Sequence, residues 1–95
     1  MFGNMDFLKE QQEKLDKKLQ EERITADSGG GQVVVVANGK GELQDISIAP
    51  SLLEKGDNDE VEDLVLLAVN DVFKKAMDLQ ASESQDLLSG LLPGM

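Results

Sequence analysis

Residues 28–43 read SGGGQVVVVANGKGEL. Three glycines precede four consecutive valines, and Asn38-Gly39-Lys40-Gly41 follows them. Glycines beside a strand pose a choice between a phosphate cradle and a chain reversal. A phosphate cradle needs a strand before the glycines and a helix N-terminus after them, so that amides and dipole point at the anion. Here a strand follows the glycines, and no Gly-Lys-Ser/Thr does. The glycines are therefore expected to turn the chain. Gln32 through Ala37 reads as a strand, and Asn38-Gly39 is the strongest local hairpin signal, because both residue types tolerate positive φ.

A strand of four valines is apolar on both faces and needs cover on both. Residues 24–27 alternate weakly and supply one neighbour. Residues 43–48 supply the other, with Ile46 and Ile48 on one face. The result is an antiparallel three-stranded meander that ends at Pro50. Residues 51–54 can form one helical turn, and residues 55–58 a loop.

Two long helices flank this sheet. Residues 4–22 lack Pro and Gly and are rich in Leu, Lys, Glu and Gln, all good helix formers. Met5, Leu8, Gln12, Leu15 and Leu19 form a narrow seam at spacings of three and four. Glu10–Lys14 and Glu13–Lys17 are i,i+4 pairs in the favourable order. This helix reads as a long solvated arm. Residues 59–80 form the second helix, capped by Asp57, Asn58 or Asp59, with Glu60, Glu62 and Asp63 suiting its positive end. It carries two apolar stripes. One holds Val61, Leu64, Val65, Ala68, Val72, Ala76 and Leu79. The other holds Leu66, Val69, Phe73 and Met77. One three-stranded sheet cannot cover both. The double-faced helix and the double-faced sheet together predict a homodimer, with Val34, Val36, Leu66, Val69, Phe73 and Met77 at its interface. The fold class expected is α+β, with residues 1–80 as a single α-β-β-β-α domain. Gly90, Pro93 and Gly94 interrupt the leucines of residues 81–95, which are expected to form a flexible tail.

Composition narrows the function classes. The chain has 95 residues, no Cys and no His. Disulfides, thiolate metal sites, a Cys nucleophile and every His-based triad are excluded. A core of this size is marginal, which again favours association. Three Phe and no Trp or Tyr leave no aromatic platform for stacked bases. No apolar run approaches a membrane span of ~20 residues. The first ten residues have neither the basic nor the apolar region of a secretory leader, so a cytoplasmic location is expected. Residues 57–63, DNDEVED, begin like a calcium loop, but Val61 and Glu62 stand where an oxygen ligand and a glycine are needed. Helix capping accounts for them better. No metal, cofactor or small-molecule substrate is expected, and nothing supports an enzyme.

Net charge is −10, from 19 acids and 9 bases. Residues 1–25 hold five bases and six acids, whereas residues 50–95 hold three bases and ten acids. The first helix is thus the less acidic arm. Lys9, Lys14, Lys17, Lys18 and Arg23 can track phosphates along it, or serve only as a salt-laced face, since each lysine has acidic neighbours within a turn.

Taken together, MFGNM, the charged first helix, the glycine-valine stretch through DISIAPSLLE, the acidic linker into EDLVLLAVNDVFKKA and the closing GLLPGM resemble the YbaB/EbfC family of bacterial nucleoid-associated proteins. The resemblance spans nearly the whole chain, and its specificity lies in the ordered combination. It implies a small α/β homodimer with projecting arms, described as tweezers-like, that binds duplex DNA in the nucleoid with weak sequence preference. The expected DNA contacts are Lys9, Lys14, Lys17, Lys18 and Arg23, with Lys40, Lys74 and Lys75 as second choices. The alternative is an acidic protein-interaction module that meets a basic partner through its C-terminal half, with weak or no direct DNA binding.

Overall fold

The elements follow the order helix, three strands, short helix, long helix in a computed structural model that describes residues 2–91. They are α1 (Phe2–Glu21), β1 (Ile24–Ser28), β2 (Val33–Ala37), β3 (Leu43–Ile48), α2 (Pro50–Glu54) and α3 (Asn58–Leu91). The strands form one antiparallel sheet in the order β1-β2-β3. The α+β class and the meander are those expected from the sequence.

Register explains how the valines are used. Val33, Val35 and Ala37 share one face of β2 with Ala26 and Ile24 of β1 and with Ile48, Ile46 and Leu43 of β3. On this face Ala26, Val33, Val35 and Ala37 join Leu52 of α2 and Ala68 and Val72 of α3 in the buried core. Val61, Leu64 and Val65 pack against its margin. The first apolar stripe of α3 therefore lies on the sheet. Val34 and Val36 point to the other face, opposite Asp27 and Thr25 on one side and Ser47 and Asp45 on the other. Val34 is half-buried and Val36 is buried.

α3 lies across β1 and β2. Leu43 and Ile46 share the core face of the sheet, yet both remain exposed, Ile46 at 44%. The second stripe of α3 is open in part: Leu66 is 59% exposed, Met77 65% and Phe73 36%, whereas Val69, expected at the dimer interface, is half-buried and packs against the core. Two apolar surfaces thus remain uncovered by the single chain.

Two local expectations are corrected. First, the Asn38-Gly39 turn does not use positive φ at either residue; among these glycines only Gly41 does, at φ 85°. The Asn38 side chain makes the turn instead. Its Oδ1 accepts from the amides of Lys40 (3.0 Å) and Glu42 (3.1 Å), and its Nδ2 donates to Glu42 Oε1 (2.8 Å). A register shift at Val36/Ala37 follows the tight turn. Second, α3 does not stop at Gln80 but continues to Leu91. One glycine on an exposed helix surface costs only about 1 kcal/mol, so Gly90 does not end the helix. Residues 92–95, which include Pro93 and Gly94, lie outside the described residues. The seam of α1 is covered only in part, as suits a solvated arm. Leu19 is buried and Leu15 half-buried, but Met5, Leu8 and Gln12 are exposed.

The glycine run does reverse the chain. Gly29, Gly30 and Gly31 carry φ of 60°, 66° and 90°, values that side chains rarely adopt. Nearby, the Ser28 hydroxyl donates to the Leu64 carbonyl and ties the end of β1 to α3.

Candidate nucleic-acid interface

Helical geometry separates the bases of α1. Lys14 and Lys18 lie about 40° apart on one side, while Lys9 lies roughly 140–180° away from them. Lys14 and Lys18 face α3. There the two helices run antiparallel, and Lys14, Leu15 and Lys18 line a shallow groove with Glu83, Asp86 and Leu87. Lys18 Nζ donates to Glu83 Oε2 at 2.8 Å. This hydrogen bond first, and then the attraction of the Glu83 charge, hold the Lys18 ammonium above the usual lysine value. Lys14 pairs at 3.5 Å with Glu10 on its own helix. The second expected pair, Glu13–Lys17, is not among the ion pairs of the described residues.

Lys40 occupies the tip of the β2–β3 hairpin, beside Gln12, Asp16, Gln80 and Ser84. This tip is fixed from both sides. The Gly39 amide donates to the Leu19 carbonyl near the end of α1 at 2.7 Å, and Gln80 Nε2 of α3 donates to the Gly39 carbonyl at 2.8 Å. The hairpin thereby positions Lys40 against both arm helices. Lys75 is tied to the sheet edge: its Nζ donates to the Thr25 carbonyl at 3.1 Å and pairs with Asp71 at 3.5 Å. Lys9, Lys17, Arg23, Lys40 and Lys74 form no ion pair among the described residues.

The eight expected bases are therefore not one patch. Three are held in ion pairs and five are not, and α1 spreads its own around its circumference. No local pattern marks Glu83 and Gln80, whose partners lie 65 and 41 residues away. Among the described residues no cluster of acidic side chains is arranged to hold a metal ion, and no helix is long and apolar enough to cross a membrane.

Residues 1–91 match the model of the YbaB/EbfC DNA-binding family. A nucleoid-associated protein of Finegoldia magna is 44% identical over 78 residues, covering 81% of this chain and 69% of that one. Another from Campylobacter lari is 40% identical over 100 residues, covering 96% and 97%. The crystal structure of an uncharacterized Helicobacter pylori protein, HP0035, superposes with a TM-score of 0.83 at 34% identity, covering 90% of each chain.

Proposed function

The chain belongs to the YbaB/EbfC DNA-binding family, and from that membership we propose a homodimeric nucleoid-associated protein that binds duplex DNA with low sequence specificity and performs no chemistry on it. The family match over residues 1–91 carries this reading, and the names of the similar bacterial proteins agree with it. The two uncovered apolar surfaces support the homodimer. Leu43 and Ile46 beside α3, and Leu66, Phe73 and Met77 along it, are what a second copy would bury. Dimerisation would set the spacing between two arms.

Low specificity follows from the residue types available. The candidate contacts are lysines and one arginine, which suit phosphate oxygens better than base edges. No stacking aromatic supplements them. Binding should therefore be dominated by counterion release, with the logarithm of affinity falling by about 0.9 per neutralised phosphate for each tenfold rise in salt. With a net charge of −10, few phosphates are engaged, so affinity is modest and the salt slope correspondingly shallow.

The test is a salt titration of the purified protein with mixed-sequence duplex DNA. Binding at low salt with a linear slope, similar across unrelated duplexes, is expected. No binding at the lowest salt would overturn the DNA reading and favour the acidic interaction module.

A further inference from the structure

We propose that Glu83 and Asp86 of α3 compete with DNA phosphates for Lys18 and Lys14, so that the α1–α3 arm contact is an internal brake on duplex binding. The proposal rests on the DNA-binding reading above. Carboxylate and phosphate oxygens are alternative partners for the same ammonium. Lys18 already holds one such partner at 2.8 Å. The accessibilities are unequal: the Glu83 side chain is 17% exposed and that of Lys18 56%. The acid is thus fixed against the arm while the cation faces solvent, where an incoming phosphate can reach it but must displace Glu83. Asp86 stands one turn further along the same groove, with Leu15 and Leu87 between the helices. Glu10 claims Lys14 from the other side. Both cations therefore already hold a carboxylate before any DNA arrives, and Asp86 adds a third negative charge to their groove. Lys14 and Lys18 are neighbours on one side of α1, and this neighbouring pair is the one cancelled.

The experiment compares wild type, Glu83→Gln, Asp86→Asn and the double variant for binding to mixed-sequence duplex DNA across a salt series. Glutamine keeps the shape and hydrogen bonding of Glu83, and the Asp86 side chain forms no hydrogen bond or ion pair among the described residues, so Asp86→Asn is a second variant that spares the arm. Glu13→Gln, which removes the same charge from α1 without breaking an ion pair, is the control. Expected is roughly two- to fivefold tighter binding by Glu83→Gln at low salt. The salt slope should steepen by up to about 0.9 per contact released. Asp86→Asn should move both in the same direction. Adding Lys18→Gln to Glu83→Gln should erase the gain. Unchanged or weaker binding by both single variants would overturn the brake, as would an equal gain from Glu13→Gln. If neither wild type nor Glu83→Gln binds at the lowest salt, the DNA-binding reading itself falls.

Discussion

The Gly39 amide lies 2.7 Å from the Leu19 carbonyl oxygen, and a Cβ added at position 39 would stand 2.7 Å from that same oxygen. Position 39 thus requires glycine for proximity and not for a left-handed backbone. Gly39→Ala should destabilise the fold by about 1–3 kcal/mol, because the opposing atom is backbone and cannot rotate away. Urea unfolding of the variant checks this. An unchanged midpoint would show that α1 moves aside freely.

Asn38 is buried at the base of the same turn and satisfies two amides and one carboxylate. Asn38→Ala leaves the amides of Lys40 and Glu42 without their acceptor. A loss of about 1–3 kcal/mol is expected. Hydrogen exchange at those two amides should rise in the variant well before global unfolding.

Val72 and Phe73 are adjacent in sequence and opposite in environment. Val72 is fully buried in the core, whereas Phe73 lies on the open stripe of α3. Val72→Glu should unfold the chain, since an unpaired buried carboxylate costs more than about 4 kcal/mol. Phe73→Glu should retain its helical circular dichroism and lower the solution mass from dimer to monomer. A monomeric wild type, or an unchanged assembly of Phe73→Glu, would contradict the proposed homodimer.

Lys18 offers a pH test of the arm contact. Its folded-state pKa lies above the ordinary lysine value, through the Glu83 hydrogen bond. A group raised in this way contributes stability in full below its unfolded pKa and loses it as pH rises through the folded value. The difference in thermal midpoint between wild type and Lys18→Gln should therefore be constant from neutral pH to about pH 9 and shrink above about pH 10.5. A pH-independent difference would mean that the Lys18 stem, and not its charge, stabilises the arm.

What was legible in the sequence was what local chemistry decides. The valine run, its glycine borders and the flanking alternation specify a meander, because strand pairing needs only period-two patterning and somewhere to turn. The two stripes of α3 specify that one face lies on the sheet. The turn falls at Asn38-Gly39 as the residues suggest, but without the positive φ that such a pair ordinarily uses. The buried Asn38 side chain bonds the turn's own amides, while Gly39 is held against the Leu19 carbonyl of α1, which the turn sequence does not contain. The extension of α3 past Gln80 was hidden for a similar reason: Ser, Gly and Pro weaken local helix preference, while Glu83 and Leu87 gain their support from α1. The basic residues were visible, but their partition was not. The register between two antiparallel helices decides which lysine meets Glu83, and that register is set by the hairpin tip between them.

The length of α3 has a mechanical consequence. Its 34 residues extend about 51 Å, in a molecule whose longest dimension is 62 Å. The sheet and the hairpin clamp it as far as Gln80, and beyond that point, among the described residues, α1 alone lies alongside. The helix is loaded like a beam fixed at one end, with the Lys18–Glu83 bond as a single guy-line some way along its free span. Lateral support of that span then comes from one ion pair and a thin apolar seam, so salt that screens the pair also loosens the arm.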